Sequence, residues 1–205
     1  MGEPYVGLKR LHTLVRRTNA LGADIIVILG DLTAGHRFVT KPIEVERTAK
    51  ELAALKAPLG IFAVLGNHDW WDDPSAQKRR KGPVLGQRAL EQNNIPVLEN
   101  QAIKLEHAKV AFWLAGLGDQ LAFRLGNGRF QGVDDLPATL AQVVDDAPVI
   151  LLAHEPDIFP EVPQTVALTL SGHTHGGQVR LFGWSPIVPS RFGNRYAYGH
   201  IHEDH

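Results

Sequence analysis

Five apolar residues, Ile25-Ile26-Val27-Ile28-Leu29, run without a polar interruption into Gly30-Asp31. Four of the five are β-branched. An unalternated run of this kind suits a strand covered on both faces, as in the parallel sheets of α/β proteins. Gly30 lets the backbone turn just past the strand end. Asp31 then falls at the carboxyl edge of the sheet, where open α/β sheets hold their ligands. A lone Gly-Asp is most simply a turn, because turns favour both residues. Here the event recurs. Residues 61–65 end in Gly66-Asn67-His68-Asp69, residues 149–153 in His154-Glu155-Pro156, and residues 166–170 in Ser171-Gly172-His173-Thr174-His175-Gly176-Gly177. Apolar strands that each meet Asp, Asn or His almost at once imply one polar site built from four strand ends.

The rest of the sequence bounds what such a site serves. A chain of 205 residues is enough for one domain, residues 1–205, with a sizeable core. Its net charge of −1 gives no electrostatic footprint for nucleic acid or an anionic membrane. The absence of cysteine excludes disulfides and thiolate metal sites and leaves the redox compartment open. No apolar stretch approaches the ~20 residues that cross a bilayer, and no signal peptide is visible. The location is left open between the cytoplasm and a membrane periphery.

Between the strand ends the pattern is mixed. Val6, Leu8, Leu11, Leu14 and Val15 form a helical stripe over residues 6–20, with His12 on the helix surface beside it. Residues 33–40 read as a solvated loop carrying His36 and Arg37. A helix is expected over 42–55 with Pro42 at its start, another over 84–92, and a short strand over 95–98. Trp70 and Trp71 either wall a substrate groove or seal the core edge. The basic run Lys78-Arg79-Arg80-Lys81 reads as a solvated face rather than a phosphate-steering patch. Residues 102–106 and 109–115 read as a β-hairpin with His107 exposed at its tip. Residues 116–132 are glycine-rich and long enough for a functional loop, with Asp119 a weak site candidate. Asp135 is the expected N-cap of a helix reaching about residue 144. Residues 178–182 look like a further strand, and His200, His202 and His205 belong to a terminal tail.

Asp, Asn and three histidines make an oxygen and imidazole donor set. It suits divalent Mn, Fe, Zn, Co or Ni, and the histidines disfavour Mg. In an extended chain His173 and His175 would face the same way, with Thr174 opposite. Asp31 is the acidic residue best placed to bridge two ions. In two-metal sites the ions sit about 3.5–4 Å apart and clamp the attacking and leaving oxygens at phosphorus, with a metal-activated water as nucleophile. His68 directly follows another candidate ligand, so it suits a general acid or a donor to the phosphoryl group better than a second ligand.

Gly30-Asp31, Gly66-Asn67-His68-Asp69, His154 and Gly172-His173-Thr174-His175 resemble, in order and context, the motifs of the metallophosphoesterase (calcineurin-like phosphoesterase) superfamily. The resemblance covers nearly the whole chain, and the segment from Gly172 onward is similar to a bacterial phosphodiesterase-like branch. It implies an α/β fold, a two-sheet β-sandwich flanked by helices in four layers (α/β/β/α), and a dinuclear metal centre, with manganese among its metals. By that resemblance Asp31 bridges; Asn67, His154 and His173 complete one ion site; His175 belongs to the other; and His68 is the catalytic histidine. The implied activity is metal-dependent hydrolysis of phosphomonoesters or phosphodiesters, with a membrane lipid among the admissible substrates.

The pattern departs from the family in one place. No Asp-x-His precedes Asp31, so the chain is expected to be truncated at the N-terminus, and to stop before the family's last strands. One site keeps four protein ligands and the other only Asp31 and His175. Unpaired sheet edges left by a missing strand would favour dimerisation or swapping. The alternative reading is a non-catalytic binding module of the same fold.

Overall fold

The computed structural model describes residues 1–33 and 39–203. His36, Arg37 and His205 lie outside the described residues. In chain order the elements are β1 (Gly2–Glu3), α1 (Leu8–Ala20), β2 (Ile26–Ile28), β3 (Lys41–Pro42), α2 (Val45–Leu52), β4 (Ile61–Ala63), α3 (Asn67–Trp71), α4 (Pro74–Arg79), α5 (Leu85–Gln92), β5 (Gln101–His107), β6 (Val110–Gly116), β7 (Phe123–Gly126), β8 (Arg129–Gln131), α6 (Leu136–Leu140), β9 (Val149–Leu152) and β10 (Val166–Leu170). A 3-10 segment, Pro156–Glu161, lies between β9 and β10.

Two sheets face each other. The first pairs β2 with β4 in parallel, and Val97 extends it by an isolated bridge to Ala63. The second has the order β10-β9-β6-β5; its first three strands are parallel and β5 is antiparallel to β6. Alternation along each strand divides the apolar residues between two faces. Val27, Leu29, Phe62, Val64, Leu98, Leu114, Ile150 and Leu152 fill the space between the sheets. Ile26, Ile28, Ala63 and Leu65 face outward against Leu11 and Val15 of α1, Ala49 and Leu52 of α2, and Leu90 of α5. Trp113, Ala115, Val149 and Leu151 face outward on the other side, against Leu136 of α6 and Ile158. The result is four layers, α/β/β/α, in which unalternated runs are needed because both faces of each central strand meet apolar partners.

Parallel pairing aims the carboxyl ends of β2 and β4 the same way, and likewise β9 and β10. Sheet-to-sheet contact then brings the four strand ends to one rim.

Several local expectations change. Pro42 lies in β3, opposite Gly2, and the helix begins at Val45. Residues 95–98 form no full strand and join the first sheet through the Val97 bridge alone. Residues 116–132 contain the β7–β8 hairpin, turned by Gly126, Asn127 and Gly128 at positive φ. Residues 178–182 form no strand; a lone bridge between Leu181 and Trp184 closes a turn at Phe182 and Gly183, both at positive φ. Asp135 caps α6 as expected, its carboxylate accepting the Ala138 amide, and Pro137 follows it. The Lys78–Lys81 run is a surface segment whose arginines are bonded within the chain, Arg79 to Ser75 of α4 and Arg80 to Gln131 of β8.

Leu114 is 1% exposed at the centre of the intersheet layer. Leu114→Ala is expected to cost about 2–5 kcal/mol of stability, read from the denaturant midpoint at unchanged slope.

Candidate metal centre

The turns after β2 and β4 approach so closely that only glycine fits. Gly30 has φ of 90°, and a Cβ there would lie 2.4 Å from the Gly66 amide nitrogen. A Cβ on Gly66 would lie 2.5 Å from Asp31 Oδ1 and 2.5 Å from His154 Cε1. These two absent side chains leave room for the polar groups that follow.

Asp69 ties the two turns together. Its Oδ2 accepts the amides of Gly66 and Asp31, both at 2.9 Å, and its Oδ1 accepts the Leu32 amide at 2.8 Å. Burial, and then the charge of Asp31, push its carboxyl up to about 6 against those donors. Nothing in an apolar periodicity marks such a residue. The available signal is its place as the third residue of α3, just after Gly66, where a carboxylate can reach back to the first amides.

Asp31 itself has φ of 58°, in the left-handed region that Asp tolerates better than most residues. Its Oδ1 accepts the His68 amide at 3.0 Å. Its Oδ2 lies 3.3 Å from His154 Nε2. Nδ1 of His154 contacts the Leu29 carbonyl, which puts the proton on Nδ1 and leaves Nε2 as the lone-pair atom. Nε2 is buried and makes no hydrogen bond. Burial opposes charge on both groups. Even so, His154 and His68 hold Asp31 below the usual carboxylate range, and Asp31 holds His154 above the usual imidazole range. The pair therefore calls for a cation between Oδ2 and Nε2, either a proton or a metal.

His173 completes a group of three. Ligand atoms of Asp31, His154 and His173 lie within 4.8 Å of one another. The His154 and His173 rings meet edge to face, with centroids 5.2 Å apart. His173 Nδ1 is 2.9 Å from Asn67 Oδ1, so Asn67 adjoins the group through an oxygen. Burial lowers the His173 pKa and keeps that imidazole neutral, the form that binds metal.

His175 is placed apart. It is exposed, and its Nδ1 lies 2.7 Å from the Gln178 amide nitrogen. The extended His173-Thr174-His175 arrangement does not form. His173 and His175 have φ of 61° and 51°, Thr174 is helical between them, and the segment curls. Thr174, turned inward, donates to the Ala197 carbonyl at 2.9 Å.

His68 stands at the rim, outside the ligand group. Its Nδ1 is 3.8 Å from Asp72 Oδ2, an ion-pair distance beyond hydrogen-bond reach. That carboxylate draws the His68 pKa up, against burial. Asp119 does not join the ligand group either. It is 1% exposed beside Glu155, and burial together with the Glu155 charge pushes its carboxyl far above the usual range. Gln120 bonds the carboxylate and the carbonyl of Glu155, so this loop braces the residue after His154. His12 pairs with Glu51 on the surface, and His107 lies 3.9 Å from Asp24.

Oxygen from Asp31 and Asn67 and nitrogen from two neutral-capable imidazoles fit a borderline first-row divalent ion. Two outcomes follow from the geometry. Asp69→Asn retains one acceptor oxygen and sets an amide NH2 against backbone donors, so it should cost on the order of 2–3 kcal/mol, measured by denaturant unfolding. In metal-free protein, Asp72→Asn should move the His68 pKa downward, because the charge that raises it is gone. Proton NMR of the imidazole Cε1–H reads this directly.

Residues 4–204 match the calcineurin-like phosphoesterase family. A Caenorhabditis elegans protein named as a metallophosphoesterase, F40B5.2, is 34% identical over 98% of this chain and 39% of its own length. A zebrafish transmembrane protein with a metallophosphoesterase domain is 31% identical over 86% of this chain and 38% of its own. The uncharacterized metallophosphoesterase YkuE of Bacillus subtilis is 30% identical over 95% of this chain and 62% of its own. The chain thus spans between about two fifths and three fifths of the relatives it matches. No described helix is long and apolar enough to cross a membrane. Four polar strand ends on one rim of an α/β/β/α sandwich and a family match over almost every residue agree: the chain belongs to the calcineurin-like phosphoesterase family.

Proposed function

We propose that this chain is a metal-dependent phosphoesterase that hydrolyses phosphomonoesters or phosphodiesters, with water as nucleophile. The observation that carries the reading is the buried, unpartnered His154 Nε2 facing Asp31 Oδ2 at 3.3 Å, with His173 completing the group. Asp31, Asn67, His154 and His173 would hold one ion, and Asp31 and His175 a second, with manganese a fitting metal for both. Bound divalent ions supply Lewis acidity toward a phosphoryl oxygen and lower the pKa of water.

The chain's own residues do the rest. Asp31 stays anionic and supplies charge to the centre. His154 is aimed by the Leu29 carbonyl, and His173 by Asn67. His68 stands at the rim where a leaving oxygen would emerge. With Asp72 favouring its protonated form, it is the group we assign as proton donor to that oxygen. The second reading is a binding module without turnover. It is favoured by the position of His175 outside the three-residue group, which leaves one well-formed ion site.

Hydrolysis of p-nitrophenyl phosphate and bis(p-nitrophenyl) phosphate with added manganese tests the proposal. Activity should disappear with a chelator and return with metal. His68→Ala should lower kcat by about 10²–10⁴-fold, and full activity in that variant removes His68 as the acid. Absent turnover in a protein holding one ion or none supports the binding module, whereas two tightly held ions per chain reject it.

A further inference from the structure

The adjacent tryptophans share one core cluster but differ in burial. Trp70 is fully buried against Phe123 in the core. Trp71 turns to the rim, where its ring meets His68 edge-on at 5.3 Å. Its indole N–H donates to the Leu121 carbonyl at 2.8 Å, so the ring is fixed in orientation.

The β7–β8 hairpin lies over this ring. Phe130 stacks on Trp71 with centroids 5.3 Å apart and planes 21° apart, and the Arg124 guanidinium carbon lies 4.0 Å from the centre of the same ring. Arg124 and Phe130 are cross-strand partners, so they project from one face of the hairpin. Phe123, the neighbour of Arg124, already anchors the hairpin in the core. Phe130 is outside all the buried clusters and stays 40% exposed. Holding the hairpin down does not require a second aromatic ring left in solvent.

Charge at this rim is balanced. Burial opposes ionisation of Asp72, but His68, Thr33 and Arg124 hold its carboxyl below the usual range. Arg124 thereby offsets the carboxylate that would otherwise repel a phosphoester approaching His68. Two successive 5.3 Å ring contacts lead from the candidate proton donor to a partly open phenyl face.

We propose that Trp71, Phe130 and Arg124 form a leaving-group subsite that takes a flat aromatic ring, a nucleobase in particular, on a phosphoester held beside His68. This rests on the phosphoesterase reading for what the phosphate does, while the ring contact stands on the hairpin's own geometry. Aromatic side chains accept any base by its π-face, so the subsite selects ring over no ring rather than one base over another.

AMP and ribose 5-phosphate share sugar and phosphate and differ by the base alone. Their affinities for the manganese-loaded protein, measured by calorimetry, isolate the ring contact without depending on turnover. AMP should bind at least about tenfold more tightly, at the low end for base stacking on aromatic side chains. Phe130→Leu keeps an apolar side chain and removes the ring; it should bring the two affinities to within about twofold, leave ribose 5-phosphate unchanged, and leave the unfolding temperature close to that of the parent. Phe130→Tyr should restore the preference. Equal affinities in the parent protein, a preference that survives Phe130→Leu, or no binding of either compound overturns the subsite. Phosphate release from AMP is followed in parallel. A preference for AMP with no release from it or from the aryl esters rejects the phosphoesterase reading and upholds the subsite. Release without a preference rejects the subsite alone.

Discussion

A single buried carboxylate, Asp69, decides whether the rim can exist. It accepts backbone amides from the turn after β4 and from the turn after β2, two segments far apart in the chain. With Gly30 and Gly66 pressed together there is no space for added side chains at these turns, so one acceptor group serves their amides. The cost is a buried charge close to Asp31, visible in the upward shift of Asp69. The return is a fixed direction for Asp31. His154 makes the matching tie on the other sheet, reaching from the end of β9 to the Leu29 carbonyl at the end of β2. The centre is therefore clamped twice, once within the first sheet and once between sheets.

How far this was legible in sequence varies by element. The four strands show themselves because a doubly covered strand has no polar face, and Asp31, Asn67, His154 and His173 lie at their ends. The intersheet layer follows from the same runs, since Val27 and Leu29 must face away from Ile26 and Ile28. Position alone does not orient a ligand, however. His173 and His175 are two apart, yet left-handed backbone at both and a helical Thr174 between them curl the segment and send His175 outward. Asp69 shows only through its place in the first turn of α3, and Glu155 not through any apolar pattern, because the groups they bond, backbone amides for Asp69 and the Gln120 amides for Glu155, are ones that no periodicity displays.

The β7–β8 hairpin was hidden for a related reason. Glycine and a short run around residues 126–128 resemble an irregular loop until the pairing of Arg124 with Phe130 is known. The loop before it, residues 117–122, links the two halves of the rim. Gln120 braces Glu155 on one side, while the Leu121 carbonyl takes the Trp71 indole and the Ala122 carbonyl takes the Gln77 amide on the other. A segment poor in regular structure is thus held by side-chain bonds to both sheets' turns. Trp70 and Trp71 show how little adjacency decides: one helix position separates a fully buried ring from a half-buried one at the core's edge, since neighbours on a short helix point about 100° apart.

Asp31 and His173 both occupy left-handed backbone, a conformation that costs of order 1–3 kcal/mol at a non-glycine residue. That outlay is recovered only when something engages the side chains so displayed. A cation that binds the folded arrangement and ignores the unfolded chain adds RT ln(1 + [L]/Kd) to folding, about 4 kcal/mol at a thousandfold excess over Kd. Resistance to heat in this protein is then a titratable quantity. A melting curve recorded across a series of ion concentrations would report on occupancy without any substrate at all.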